Sequence, residues 1–205
     1  LISHTRNSFI RYNGCEIPYP FQAHFLKLPT EVAQECLDGF RSAAQNNHNG
    51  QKYPNFKSWA EGYFGEAIAR HFMIPYNEKF WTIPADELTC DWLDGFVPVI
   101  RHEDVVQNNN PQGLGYNAVF YYPRQGGIQE LPRALSRDMN GDISVNSTVT
   151  AIDLRKKTVL INDQDMYRYE GLISSVPLPE LVGIIKNLPR QIKDSFNLLN
   201  YNSIF

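Results

Sequence analysis

The residues best suited to bind something flat lie in the run Pro18-Tyr19-Pro20-Phe21-Gln22. Two prolines hold this backbone extended. On such a track Tyr19 and Phe21 could stack on a planar ring while the Gln22 amide reads its edge. The same residues would also serve as a core-lining loop. A second group falls in residues 73–81, Met-Ile-Pro-Tyr-Asn-Glu-Lys-Phe-Trp. There Asn77 supplies two donors and an acceptor and Trp81 a large flat face, with a packed corner as the alternative. A third feature is Gly126-Gly127, between an apolar run and a helical pattern. A glycine pair opening a helix turns backbone N–H groups outward, where the helix dipole favours negative charge; an ordinary strand-turn-helix corner has the same sequence.

No nucleophile–base pair, metal cluster or phosphate loop emerges from residue types, so no catalytic residue is assigned. His71 has no second ligand at metal spacing and reads as a packed or rim histidine. Gly113-Leu114-Gly115-Tyr116-Asn117-Ala118 fits G-x-G-x-x-A in letters only. An asparagine-rich stretch precedes it and a strand-like run follows, the reverse of a dinucleotide fingerprint. Asn146-Ser147-Thr148 is formally a glycosylation triplet and is discounted, since nothing else points to secretion.

The elements that must position these residues can be read from periodicity. Ser8–Tyr12 and Glu16–Tyr19 flank Asn13-Gly14, a strong hairpin signal. Thr30 reads as an N-cap before an apolar i, i+3, i+4 stripe through Ala43, with a stop near Asn46. A second stripe from Phe56 to Phe72 is interrupted by Gly62 and Gly65, which predicts a kink or two helices. Pro84–Trp92 reads as one or two helical turns, and Pro98–Asn110 as an exposed loop. Ile128, Leu131, Ala134, Leu135 and Met139 mark another helix. Strands are then expected at Ile143–Val145, Val149–Leu154, Thr158–Ile161 and Tyr167–Tyr169 as an antiparallel meander, with a buried strand at Leu172–Val176. Leu181–Ile185 and Pro189–Leu199 close the chain as short helical pieces.

With 205 residues and 42% hydrophobic content the chain can bury one large or two small cores. A net charge of −3 and a pI near 6.0 argue against nucleic acid as a partner. No apolar run is long enough to span a membrane. Cys15, Cys36 and Cys90 lie far apart, which fits free thiols in a reducing, cytoplasmic setting.

Four motifs stand in order: PYPFQ from Pro18, PYNEKFW from Pro75, CDWL from Cys90 and NAVFYYPRQGG from Asn117. With the following helix, NSTVTAID and a meander ending in LISSVPLPEL, this order resembles the FAD-dependent amine oxidase, protoporphyrinogen oxidase and UDP-galactopyranose mutase superfamily, nearest to mutase-type members, over roughly residues 5–185. The resemblance implies an α+β piece of an α/β, FAD-binding flavoenzyme of the two-dinucleotide-binding-domain type. A mainly helical substrate region with short strands would span 1–125. Part of the FAD-binding domain, with a helix, a β-meander, a buried strand and C-terminal helices, would span 126–205.

The resemblance also implies roles. Tyr19, Phe21 and Gln22 match residues around a uracil ring; Phe72, Asn77 and Trp81 match a substrate-pocket wall; Asn117 matches a polar residue beside sugar and flavin. Gly126 and Gly127 match a turn near FAD, and Val149 a residue whose backbone meets the adenine. Phe96 stands where mutases carry a phosphate-binding arginine, which puts UDP-galactopyranose in question unless Arg101 or Arg124 substitutes. The activity implied is reduced-flavin attack on the anomeric carbon of a UDP-sugar. The alternatives are hydride transfer from an amine or another reduced organic substrate, or a non-catalytic folded domain. In these families the glycine-rich FAD pyrophosphate grip precedes the matched region, so the chain alone is expected to be colourless and inactive.

Overall fold

A computed structural model describes residues 1–46, 51–107 and 118–203. The chain is mixed α and β with antiparallel sheets, and divides into two compact units, 1–132 and 133–205.

In the first unit β1 (Ile2–Thr5) pairs antiparallel with β4 (Val119–Tyr122), from Ile2 opposite Tyr122 to Thr5 opposite Val119. Strands β2 (Phe9–Tyr12) and β3 (Cys15–Pro18) form the hairpin expected around Asn13-Gly14. Both turn residues have positive φ, 45° and 81°, the conformation that an Asn-Gly pair tolerates and that matches strand twist. The extended track ends sooner than predicted. Pro20 sits at the N-cap of a short helix α1 (Phe21–His24), so Phe21 and Gln22 are helical and buried. A proline at a helix start loses no ladder bond, which is why the turn can begin there.

Helix α2 (Thr30–Ala44) buries Ala33, Cys36, Phe40 and Ala43 along one stripe; Pro29 is its cap and Thr30 its first residue, one position from expectation. Helix α3 (Phe56–Phe64) starts on Asn55, whose side chain accepts from Ser58 N–H at 2.9 Å. Gly65, with φ of 85°, breaks the path before α4 (Glu66–Ile68). A Cβ there would lie 2.4 Å from the Gly39 carbonyl carbon, so the chain at Gly65 can approach the α2 backbone this closely only because Gly65 lacks a side chain. A wide π turn (Ala69–Met73) leads into α5 (Ile74–Trp81). Pro75 removes a donor from that ladder, and the Asn77 amide donates to the Met73 carbonyl at 2.7 Å.

Pro84–Trp92 forms turns rather than helix, tied to the start of α3 by Phe56 N–H to Leu88 O and Lys57 N–H to Ala85 O. A short α6 (His102–Val106) lies within the stretch read as loop, and it buries Val105. The core is strongly aromatic, with Phe21, Phe25, Phe40, Phe56 and Phe64 fully buried around Ile17, Ile68 and Cys36. Burying side chains of this size stabilises by roughly 2–3 kcal/mol each.

Cys36 is fully buried, and its thiol is pushed up to about 12 by burial first and then by the Glu35 charge. All three cysteines are free. Alkylation of the native protein at about pH 8 should leave Cys36 unmodified, whereas in denaturant it should react like the others, as intact-mass spectrometry would show. Rapid native labelling at Cys36 would contradict this packing.

In the second unit β5 (Val149–Asp153), β6 (Thr158–Ile161) and β7 (Asp165–Arg168) form the antiparallel meander, and β8 (Ile185–Lys186) joins β5 in parallel, giving the order β7-β6-β5-β8. Helix α7 (Glu130–Asp138) carries the expected apolar stripe, but Leu131, Leu135 and the following Met139 are exposed. Two expected strands are absent from the ladders: Ile143–Val145 and Leu172–Val176 are irregular, and Ile173 is 100% exposed. Part of the second edge of β5 is taken by β8, at Ile152 and Asp153. Helix α8 (Leu178–Ile184) begins three residues before the reading of Leu181–Ile185 and gives up Ile185 to β8, and α9 (Arg190–Phe196) falls within Pro189–Leu199.

Candidate functional site

In the first unit, α1, the turn before it, α5 and the loop around Pro98 enclose a cleft of ≈ 330 Å³. Its wall includes five residues singled out from sequence: Tyr19, Gln22, Phe72, Asn77 and Trp81. Its size and largely apolar, aromatic lining are those of a small-molecule site. Two buried amides orient it. Gln22 donates through Nε2 to the Pro98 carbonyl at 2.8 Å, and Asn77 donates to Met73 O, so both amide planes are fixed. Burial first and Tyr76 second raise the pKa of Tyr19 above its ordinary value, although Arg6 opposes the shift; at neutral pH its hydroxyl is a donor.

The rings form an ordered column. Phe21 stacks on Phe72 at 4.7 Å between centroids with planes 2° apart, Phe72 on Tyr76 at 4.9 Å, and Tyr76 on Phe80 at 6.2 Å. One placement, that of Phe21, differs from the sequence expectation, while Phe72 lies on the cleft wall. Phe21 is fully buried and backs Phe72 instead of facing the cleft. Phe72 has both faces covered, so the faces that remain for a flat ligand belong to other rings. Trp81 meets Trp92 edge to face at 5.3 Å, and both indole N–H groups are buried without an acceptor among the described residues. Such donors carry a desolvation cost of about 1–3 kcal/mol until an acceptor arrives.

Phe96 lines the mouth and is half exposed. Neither proposed replacement cation is at the cleft. Arg101 is held by Asp104 through Nε and Nη2 at 2.8 and 2.9 Å, and Arg124 lies in the exposed turn after β4. Arg6 is there instead, with its guanidinium 5.3 Å above the Tyr19 ring. Tyr76 and Phe80, also missed, were readable in principle, because they continue the i, i+4 spacing from Phe72. Arg6 was missed as well; it is held both from Ser8, which pairs with Tyr19, and from Ala118 beside β4, far away in sequence.

Behind the cleft, Tyr12 Oη meets His71 Nδ1 at 2.7 Å, and His71 Nε2 meets Glu35 at 2.8 Å; Arg70 pairs with the same carboxylate. The histidine is a packed connector, with both ring nitrogens engaged by protein groups. Glu35 is held below its ordinary 4.5 by the hydrogen bond from His71 first and that from Arg70 second. A lowered folded pKa gives stability that is present above pH 4.5 and is lost as the pH falls through the folded value. Glu35→Gln should therefore flatten the fall of Tm on the acid side of pH 4.5 in scanning calorimetry. An unchanged acid limb would contradict the pairing.

The remaining positions lie elsewhere. Gly126 and Gly127 adopt φ of 79° and 71° in the turn before α7. The Glu130 side chain lies against Gly126, where a Cβ would come within 2.5 Å of its Cγ, so the carboxylate in the first turn of α7 already answers that helix start. Beside Gly127 a Cβ would meet only Tyr122 Oη at 3.8 Å. In the second unit Val149 pairs with Ile161, and Asn162 N–H donates to the Thr148 carbonyl at 2.8 Å. That pattern makes Val149 a non-hydrogen-bonded partner of Ile161, so its own N–H and C=O point away from β6. On that far edge β8 pairs only with Ile152 and Asp153. Asn117 lies outside the described residues.

Among the described residues there is no group of three or more His, Cys, Asp or Glu able to hold a metal ion, and no helix is long and apolar enough to cross a membrane. The model of the flavin containing amine oxidoreductase family matches residues 30–205. A crystal structure of reduced UDP-galactopyranose mutase is similar over 95% of this chain, with a TM-score of 0.84 and 27% sequence identity. The chain spans 42% of that protein's length.

Proposed function

Since the chain belongs to the flavin containing amine oxidoreductase family, for which a flavin is the implied cofactor, we propose that it forms the substrate side of an FAD-dependent enzyme acting on a nucleotide sugar, with the aromatic cleft taking the nucleotide's base. The observation that carries this reading is the convergence of Tyr19, Gln22, Asn77 and Trp81 on one cavity. Rings give a base its stacking energy and the fixed amides give its edge hydrogen-bond partners. The likeness to UDP-galactopyranose mutase supports uracil as that base. An FAD adenine would meet the outward N–H and C=O of Val149, and the open side of Gly127 suits a close approach of the cofactor. When bound, the flavin supplies the electron-rich centre for chemistry at the sugar; the chain's own part is to bind and orient the nucleotide.

An amine substrate is the competing reading. Arg6 argues against it, because it carries the one formal charge among the described residues lining the cleft, and that charge repels an ammonium group. Titration calorimetry with uridine and with an aromatic amine such as benzylamine separates the two. Saturable 1:1 binding of uridine alone is the expected result. Binding of the amine with no heat from uridine would replace the nucleotide reading with the oxidase one.

A further inference from the structure

Side chains from three elements form one hydrogen-bonded chain behind the cleft: Tyr12 from β2, Glu35 from α2, and Arg70 and His71, neighbours in the π turn. Donor chemistry fixes its direction. The Glu35 carboxylate only accepts, so Nε2 of a neutral His71 carries the ring proton and donates to it at 2.8 Å. Nδ1 is then bare and accepts from the Tyr12 hydroxyl at 2.7 Å. Both ring nitrogens are used, and the ring keeps one tautomer.

The π turn needs such an anchor. Its Ile74 N–H reaches back to the Ala69 carbonyl, a wider closure than an α turn, and single turns of this kind persist where something else holds them. Arg70 and His71 reach the same carboxylate, but the two arms differ in exposure. The Arg70 side chain is 56% exposed, so its ion pair is screened by solvent and contributes little, whereas the His71 side chain is 17% exposed. His71 also reaches Phe72 by two routes. It precedes Phe72 in the chain, and the Tyr12 ring, edge to face with His71 at 5.7 Å, meets Phe21 at 6.2 Å, the ring that stacks on Phe72 at 4.7 Å.

We infer that His71 is a positioning residue of the cleft: bonded to Glu35 through Nε2 and to Tyr12 through Nδ1, it holds the π turn in the geometry that sets Phe72 against Phe21 and into the cleft wall. Its effect on a ligand rests on the nucleotide reading above; its effect on the turn does not.

The test compares the wild type with His71→Phe, Tyr12→Phe and Arg70→Gln. Phenylalanine at position 71 keeps a ring against Tyr12 and removes both nitrogens; at position 12 it keeps the ring against Phe21 and removes one hydrogen bond. Native-state amide exchange reads the turn, with the amides of α3 as internal reference. Protection of the Ile74 amide relative to α3 should fall about tenfold or more in His71→Phe, about threefold in Tyr12→Phe and less than about twofold in Arg70→Gln, since these remove two hydrogen bonds, one, and an exposed ion pair. Uridine affinity by calorimetry should fall in the same order, and proton–nitrogen NMR spectra of the wild type should place the neutral ring's proton on Nε2. Should His71→Phe fail to fold, Tyr12→Phe carries the same comparison. A fall shared equally by α3 and Ile74, or a neutral ring protonated on Nδ1, would show that His71 only packs. Unchanged uridine affinity in a variant whose turn has loosened would show that the chain does not position the cleft. If uridine fails to bind the wild type, the nucleotide reading falls, and the exchange and nitrogen spectra still decide whether His71 holds the turn.

Discussion

Gly65→Ala should destabilise the protein by about 2–5 kcal/mol, the sum of backbone strain and overpacking. Gly65 holds φ of 85° and ψ of 159°, a region that residues with a side chain almost never occupy. A Cβ at this point would sit 2.4 Å from the Gly39 carbonyl carbon and 2.5 Å from its oxygen, and backbone inside α2 cannot step aside as a flexible side chain can. The cost falls where α2, α3 and α4 meet, and α4 leads directly into the turn that carries Phe72 and, through it, into α5, which carries Asn77. The urea midpoint should therefore fall at unchanged slope. Gly39→Ala is the matched control. Its Cβ would meet Ala67 Cβ at 3.7 Å, an ordinary contact, inside a helix that alanine favours. A Gly65→Ala midpoint as high as that of Gly39→Ala would show that the close crossing does not exist.

Trp81→Ala should weaken uridine binding on the order of 10- to 100-fold, the range of one base-stacking ring. The indole lies at the end of α5, where Thr82 adopts φ of 58° and its N–H closes the helix onto the Glu78 carbonyl, so the ring is carried on a well-terminated element. It is packed against Trp92, so removal also opens space beside that ring. Trp81→Phe separates the two effects: it retains a face for stacking but has no N–H, and it should recover most of the affinity if stacking dominates. Should phenylalanine bind as poorly as alanine, the orphaned indole N–H is the main contributor. Unchanged affinity in Trp81→Ala would remove the ring from the site.

Much of this was legible because it is local. Asn13-Gly14 dictates a hairpin through two neighbouring φ angles, and the stripe of α2 follows from the types of Ala33, Cys36, Phe40 and Ala43 alone. Gly65 announced its kink for the same reason. The candidate cleft was legible in part, since Tyr19 and Gln22 lie in one short motif, Asn77 and Trp81 in another, and Phe72 ends the apolar stripe just before the second. What was hidden is contact across distant segments. Phe21 reads as a stacking ring until the turn at Pro20 sends it into the core behind Phe72. Arg6 is placed partly by the hairpin, through Ser8 opposite Tyr19, and partly by the pairing of β1 with β4, more than a hundred residues away, which no local pattern records. Ile143–Val145 and Leu172–Val176 have strand-like composition, yet a strand also needs a partner, and no run of letters records which segments pair; in the four-stranded sheet neither does. The exposed stripe of α7 makes the same point, since spacing shows that a face is apolar and not what lies against it.

The most direct test is where uridine sits. In NMR spectra of the uridine complex, H5 and H6 of the base should show intermolecular NOEs to the side chains of Tyr19 and Trp81, with none to Phe21, which is fully buried. NOEs confined to residues 133–205, or a base that contacts neither Tyr19 nor Trp81, would contradict the account.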